Sequence, residues 1–351
     1  MPCFRSQDII KRTMKKGSLR GLSPERILVI QLKQVGDVIL CTPVLRALRK
    51  AYPDSRLDFL CQASAGKALV GNPRIDNLII LDGRDDLLEK GKKISKLRSA
   101  RYDLVIDYLA TPATAVITKL CGAKASVSYA GQKRSRFYSH AVEPQGNYSA
   151  QHKLSLLRIL GIEDGELKPE FYVSEGAKEK ISKWLHSRKL EPKKFCVIDA
   201  THRRETRRYT RYDEVADLMW KEEGLPSVFV WGPGEKEFVG NILTKAGKEH
   251  FLAPPTTLDE LGALLLFSAI LIGNDSAPRH IASALDVPTV IPTGSTRSEN
   301  WTLPSQIHKA VYLDIECRPC SSNKCKWETI KCMTMLEPSV VVNAGRELIR
   351  G

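Results

Sequence analysis

No stretch of this chain approaches the roughly 18 uninterrupted apolar residues of a membrane span, so it does not read as an integral membrane protein. The opening residues, Met1 to Lys16, lack a continuous apolar segment and do not form a secretory signal. Acid is in short supply, with 40 Asp and Glu against 54 Lys and Arg, a net charge of +14. Zinc fingers, RNP motifs and basic zippers are absent, which sets nucleic acid aside as a partner. The first strand-to-helix turn lacks the G-x-G-x-x-G pattern, so dinucleotide binding finds no support. No short tandem repeat is visible.

What is present suffices for two domains. The 351 residues are 42% hydrophobic and 27% charged, near globular averages, which excludes wholesale disorder. A soluble, cytoplasmic protein is expected. By charge alone the basic excess favours polyanionic partners: nucleic acid, phosphorylated sugars or an acidic membrane face. Part of it is local, since Arg5, Lys11, Arg12, Lys15, Lys16, Arg20 and Arg26 meet only Asp8 and Glu25. With Ile9, Ile10 and Met14 this stretch is faintly amphipathic, suited to anionic lipid or to a solvated tail.

Apolar runs alternate with helix-period segments for almost the whole length, the mark of parallel sheets wrapped by helices. Strands are expected at Arg26–Leu32, Arg56–Cys61, Asn77–Leu81 and Tyr102–Asp107, with helices over Asp37–Ala51, near Ser64–Val70 and over Asp85–Ala100. Gly131 to Tyr148 is polar, basic and aromatic; a helix follows at Gln151–Leu160, then a Gly-, Pro- and acid-rich linker, Gly161–Glu175. After a helix at Glu175–Arg188, further strands are expected at Phe195–Asp199, Ser227–Trp231, Ala269–Gly273 and Thr289–Ile291. Helices fit Arg211–Glu222, Gly234–Lys245, Leu258–Phe267, Ser276–Leu285 and Pro338–Arg350. The expected layout is a basic extension over 1–25, an α/β lobe over 26–165, a second over 166–336 and a terminal helix over 337–351.

In open parallel sheets ligands bind outside the carboxyl ends of the strands, and four such ends carry polar residues. In Gln31-Leu32-Lys33-Gln34-Val35-Gly36-Asp37, Asp37 falls at a helix start, placed either to cap it or to take a proton from a sugar hydroxyl. Arg203, Arg204, Arg207, Arg208 and Arg211 crowd the end of a later strand, as a diphosphate clamp or as an exposed basic loop. Trp231-Gly232-Pro233-Gly234-Glu235-Lys236-Glu237 frames a nucleotide or is a plain strand–turn–helix. In Gly273-Asn274-Asp275-Ser276-Ala277-Pro278-Arg279-His280, a strand end and helix start could form an anion site. There Asp275 or Ser276 could instead merely cap, and His280 could be a core histidine. Of nine cysteines, Cys3, Cys41, Cys61, Cys121 and Cys196 are scattered and those in apolar contexts suit the core. Cys317, Cys320, Cys325 and Cys332 cluster as C-x2-C-x4-C-x6-C, a pattern open to a structural zinc, free thiols or disulfides. Neighbouring Arg318, Lys324, Lys326 and Lys331 would favour thiolates there.

Taken together, these segments resemble glycosyltransferase family 9, the ADP-heptose:lipopolysaccharide heptosyltransferases. Ile27–Leu48, ILVIQLKQVGDVILCTPVLRAL, resembles that family's opening strand, G-D turn and helix. Asn274–Thr293, NDSAPRHIASALDVPTVIPT, resembles its D-[TS]-G-x-x-H block. Arg207-Arg208-Tyr209 matches a segment that usually reads Lys-Arg-Trp, WGPGEKE matches a G-x-x-x-E turn, and Cys332-Met333 with Pro338 match a common tail.

The resemblance implies a two-lobed GT-B fold, Rossmann-like in each lobe, with the active site in the interlobe cleft. It implies an inverting, metal-independent transfer of heptose from ADP-L-glycero-D-manno-heptose to the Kdo/heptose inner core of lipopolysaccharide. Asp37 aligns with the proposed general base. Thr201, Arg207, Asp275, Ser276, Ala277 and His280 fall on the donor side, with Arg207 where a lysine neutralises phosphate. Gly36, Lys133, Arg134 and Arg136 are the acceptor-side candidates. The chain departs from the pattern at Ala277, where glycine is preferred, at Arg279, usually apolar and here offering another positive charge to the cleft, and at Gly294-Ser295-Thr296. No metal is required for catalysis, and a monomer bound peripherally at the inner face of the cytoplasmic membrane is expected. The competing readings are transfer of another sugar to the core, a nucleotide-sugar epimerase of the same fold, and a non-catalytic glycolipid-binding protein.

Overall fold

The computed structural model describes residues 17–83 and 85–351. The basic stretch through Lys16, with Cys3 and the amphipathic Ile9, Ile10 and Met14, lies outside them. The chain divides after Leu167 into two compact units.

The first unit is built on six strands: β1 (Arg26–Ile30), β2 (Arg56–Cys61), β3 (Asn77–Ile80), β4 (Leu104–Asp107), β5 (Ala125–Tyr129) and β6 (His140–Val142). All pair in parallel, in the order β3-β2-β1-β4-β5-β6. Its helices are α1 (Val35–Ile39), α2 (Thr42–Ala51), α3 (Ala63–Gly66), α4 (Leu87–Ser99), α5 (Pro112–Cys121) and α6 (Ser149–Ser155). A parallel strand buried on both faces shows a continuous apolar run rather than alternation, and in β1 the side chains of Ile27, Leu28, Val29 and Ile30 are all buried.

The second unit repeats the design with β7 (Cys196–Asp199), β8 (Ser227–Val230), β9 (Phe251–Leu252), β10 (Ile270–Gly273), β11 (Thr289–Pro292) and β12 (His308–Val311). These too are parallel, in the order β12-β11-β10-β7-β8-β9. The helices are α7 (Glu175–Ser187), α8 (Tyr212–Glu223), α9 (Lys236–Leu243), α10 (Leu258–Phe267), α11 (Ala277–Ala284), α12 (Lys331–Thr334) and α13 (Pro338–Arg350). The terminal helix α13 buries Val341, Val342 and Ala344 in one core with Met219, Ile270 and Ile272, and Arg346 on its outer side pairs with Glu222 and Glu223.

Both sheets are the parallel α/β architecture expected, and the departures are local. The single helix expected over Asp37–Ala51 is two, α1 and α2, meeting at Leu40–Cys41. Pro43 explains the break: it has no N–H to continue α1, but it suits the first turn of a new helix. The helix expected to run to Leu160 gives way after Ser155 to a 3-10 segment, Leu156–Leu160, and stops at Gly161, whose φ of +78° glycine adopts without strain. Helix α5 and strands β5, β6, β9 and β12 were not anticipated. Two β-branched threonines start α5: Thr111 and Thr114 form a reciprocal capping box ahead of Pro112.

Candidate active site

Each sheet reverses its strand order once, and the loops leaving the two strands beside that point diverge and open a crevice. In the first unit the reversal lies between β1 and β4, in the second between β7 and β10. Asp37 follows β1; Thr201 follows β7; Asp275, Ser276, Ala277 and His280 follow β10. Chain topology therefore brings these residues to the strand ends flanking the two reversals, whereas Lys133, Arg134 and Arg136 follow β5, one strand beyond β4.

In the first unit the helix-capping position belongs to Gln34, and Gly36 and Asp37 are the second and third residues of α1. Asp37 is therefore not the N-cap; its carboxylate takes a backbone hydrogen bond from Gln34. Burial raises the Asp37 carboxyl above the ordinary aspartate range, and the positive charge of Lys153 and the Gln34 N–H pull it partly back. Tyr108 and Tyr129 pack edge to face at the ends of β4 and β5, with ring centroids 6.2 Å apart. Burial holds both phenols protonated far above their usual range, and Asp37 adds to the effect on Tyr129. Lys153, from α6, is 4% exposed, donates to Gln31 Oε1 at 3.2 Å and lies 5.5 Å from the Tyr108 ring centre.

The acceptor-side candidates Lys133, Arg134 and Arg136 sit on the segment between β5 and β6, with Lys133 and Arg136 exposed and Arg134 half-buried. Arg136 lies over the ring of exposed Phe137. Tyr138 anchors the segment by donating to Asp107 Oδ2 at 2.6 Å, at the end of β4. Asp107 Oδ1 also accepts the N–H groups of Leu109 and Ala110. Residue order carries no sign of this anchor, because Tyr138 and Asp107 stand 31 residues apart and meet only when β4 and β5 pair.

In the second unit buried Asp199 ends β7. Its carboxylate accepts Thr201 N at 3.1 Å, Thr201 Oγ1 at 2.9 Å and the Ser276 hydroxyl. Ser276 occupies the N-cap of α11 but makes no side-chain cap bond, its hydroxyl being turned to Asp199. Burial pushes Asp199 up to about 6. Asp275 goes the opposite way: burial acts to raise it, but the charge and hydrogen bond of Arg279 and the charge of Arg207 hold it below the usual carboxylate range. Burial depresses His280 to about 3, with neighbouring Arg279 adding to the effect, so its imidazole is neutral at physiological pH.

The five crowded arginines separate once their partners are known. Arg211 is paired with Glu214 at 2.6 Å and Glu337 at 3.1 Å, and Arg208 lies over Phe238 and 3.7 Å from Glu205. Arg207 differs: its Nε is buried without a hydrogen-bond partner, and burial makes its charged form costly. His280 Nδ1 is likewise buried and unpartnered. An unmade hydrogen bond of this kind costs about 1–3 kcal/mol, which a bound anion at Arg207 would recover.

Arg279 does not bring a positive charge to a ligand. It is 2% exposed, pairs with Asp275 at 2.7 Å and donates to Thr302 Oγ1 at 2.7 Å, so its charge is internal. The zinc expectation also fails the geometry. Among the described residues no three His, Cys, Asp or Glu are gathered to hold a metal ion, and Cys317, Cys320, Cys325 and Cys332 are free. Nor is Cys332 driven toward thiolate: burial, then the three other cysteines, push it up to about 11. The nearby cations point elsewhere, Arg318 onto Tyr312 and the carbonyl of Gly294, Lys326 and Lys331 onto Trp327. Hydrogen bonds tie the segment down instead, from Ser321 N to Ser295 O at 2.7 Å and from Thr206 Oγ1 to Ser322 O at 2.9 Å. Gly294 is required at this junction, since a Cβ there would lie 2.4 Å from Thr206 O.

Two parallel α/β units, each with polar residues at its switch point, define the architecture, and the family comparison defines the class. The family model of glycosyltransferase family 9 (heptosyltransferase) matches residues 91–331, and the chain belongs to that family of glycosyltransferases. Asp37 and Gly36 precede the matched residues. Lipopolysaccharide heptosyltransferase 3 of Escherichia coli K12 is 27% identical over 76% of this chain and 81% of its own length. Among solved structures, a family 9 glycosyl transferase from Veillonella parvula superposes with a TM-score of 0.81 at 22% identity, over 93% of this chain and 97% of the other. The ADP-heptose lipopolysaccharide heptosyltransferase II of E. coli gives 0.73 at 20% identity, over 93% and 98%. No helix among the described residues is long and apolar enough to cross a membrane.

Proposed function

We propose that this enzyme transfers heptose from ADP-L-glycero-D-manno-heptose to the Kdo/heptose inner core of lipopolysaccharide, with inversion at the transferred carbon and no metal requirement. The second unit would hold the donor and the first the lipid-anchored acceptor. The protein would work as a monomer, peripherally, at the inner face of the cytoplasmic membrane. The observation that supports the donor assignment is Arg207, a half-buried guanidinium whose enclosed Nε has no hydrogen-bond partner, beside the Asp275–His280 segment.

In the proposed reaction an acceptor hydroxyl attacks the anomeric carbon of the donor while its proton passes to the Asp37 carboxylate. A carbon–oxygen bond forms to the acceptor, the bond to the diphosphate breaks, and the electron pair leaves with ADP. Negative charge grows on the departing phosphate, where the fixed positive charge of Arg207 stabilises it most in the transition state. Thr201, Asp275, Ser276, Ala277 and His280 line the donor side, and neutral His280 can donate or accept a hydrogen bond without adding charge. Gly36, Lys133, Arg134 and Arg136 serve the acceptor, whose carboxylates and phosphates suit an exposed basic segment.

The test is calorimetric binding of ADP-L-glycero-D-manno-heptose and turnover with Kdo-bearing lipid A, in wild type and Asp37→Ala. Turnover lost by 10²-fold or more with donor affinity retained is the expected result. Preference for another nucleotide-sugar would keep the transferase and change its substrate. Isomerisation of free donor without acceptor would replace transfer by epimerisation. Failure of a folded protein to bind any nucleotide-sugar would end the reading.

A further inference from the structure

Lys153 is the buried cation of the first unit that the proposed reaction leaves without a task. Its ammonium is almost wholly enclosed, yet among the described residues no carboxylate lies within ion-pair distance of it. Its neighbours are neutral: the Gln31 amide oxygen at 3.2 Å, the Cys41 thiol and the Tyr108 ring. An unpaired ammonium in such surroundings costs several kcal/mol, and Lys153 could have reached solvent by rotating its flexible stem. It is held instead: the Gln31 side chain that receives it is itself fixed by donating its Nε2 hydrogen to Lys33 O. Gln31 follows β1 directly and leads into the loop that carries Asp37, so one short segment positions both charges.

We propose that Lys153, held by Gln31 against the Tyr108 ring, is the positioning residue of this site and the counter-charge that keeps the Asp37 carboxylate ready to accept the acceptor's proton. The inference rests on the reading of Asp37 as general base. The groups facing Asp37 are few enough to name. From α6 comes Lys153; Cys41 lies at the start of α2; Tyr129 ends β5, with Tyr108 behind it. Asp107 acts on Tyr129, and Lys67, on the 3-10 turn packed against α1, is exposed to water. The two tyrosines and Cys41, whose thiol burial pushes up to about 11, stay neutral across the working pH range. Lys153 is thus the buried positive charge available to Asp37. Without it, only the Gln34 N–H is left to oppose burial, and the base takes up a proton at higher pH.

The experiment is the pH profile of kcat/KM for sugar transfer in wild type, Lys153→Met, Lys153→Arg and Gln31→Glu. Methionine fills the space of the lysine stem and removes an unpaired buried charge, so the fold is expected to survive, checked by thermal melting. Its acid limb should move up by about one pH unit, a roughly tenfold loss below the limb, with most activity recovered above it. Lys153→Arg should restore the wild-type limb. Gln31→Glu keeps the lysine but gives it a carboxylate, and should move the limb in the same direction as methionine, so the inference stays testable if Lys153→Met does not fold. An unmoved limb in folded Lys153→Met, or a rise in acceptor KM alone, would overturn it. Asp37→Asn separates the two readings: full activity there would remove the base assignment itself, whereas an inactive Asp37→Asn with an unmoved Lys153→Met limb would remove only the role of Lys153.

Discussion

The two units share a strand order and a crevice at the same topological point, yet they treat charge in opposite ways. Beside β1 and β4 in the first unit, burial outweighs the charge of Lys153 and the Gln34 N–H, so the Asp37 carboxyl rises above the ordinary range. Beside β7 and β10 the second unit places Asp275 among Arg279, His280 and Arg207, and there the carboxylate is driven down. A base must be able to take a proton, which needs a carboxylate made less acidic by desolvation. A phosphate site needs a fixed positive charge still free to meet the ligand, which on the proposed reading is Arg207 and not the internally paired Arg279. On the proposed roles, one architecture would serve both demands because the loops, not the sheet, carry the difference.

Exchanging the character of the two crevices should separate their tasks. Arg207→Met is expected to lower kcat by about 10²–10³-fold and to weaken donor binding, while leaving the acid limb set by Asp37 in place; an unchanged kcat would remove Arg207 from the phosphate site. Arg279→Met strands Asp275, buried and unpaired, and should cost about 3–5 kcal/mol of stability in denaturant titration. The double variant with Asp275→Asn should regain most of that loss, as a coupled pair requires. The smallest effect is expected at Asp199, whose carboxyl burial lifts to about 6. A raised carboxyl favours the folded state only while protonated, so its contribution is complete below about pH 4 and disappears as pH rises through 6. Asp199→Asn should therefore stabilise the ligand-free protein by about 1–3 kcal/mol at neutral pH and flatten the dependence of stability on pH between those limits. A slope that persists in the variant would place the titration elsewhere.

Much of this organisation was legible from residue order. The strands at Arg56–Cys61 and Ser227–Val230 stand out as short apolar runs bounded by turns, and the helix Leu258–Phe267 falls where it was expected because Thr257 and Glu260 form a capping box. Helix α5 was hidden because its valine, isoleucine and threonines argue locally for strand, and packing overrides that preference. Strands β9 and β12 are short edge strands, four residues or fewer with half-buried side chains, too brief for any periodicity to register. At the site, Asp37, Arg207 and the Asp275–His280 segment could be singled out by residue type and place. Their partners could not: Lys153 and Gln31 stand 122 residues apart, and Tyr138 reaches Asp107 from 31 away.

By itself, then, the amino-acid sequence determined the class of architecture and the loops that bear the chemistry, since both follow from local periodicity and from polar residues at strand ends. Only the tertiary structure decided which charges are available. Arg279 became an internal partner of Asp275, Arg211 was taken by Glu214 and Glu337, and half-buried Arg207 and buried Lys153 were left without a carboxylate in contact. The physical reason is that the energy of a charge depends on what has been excluded from its surroundings and what has been brought near, and folding alone sets both.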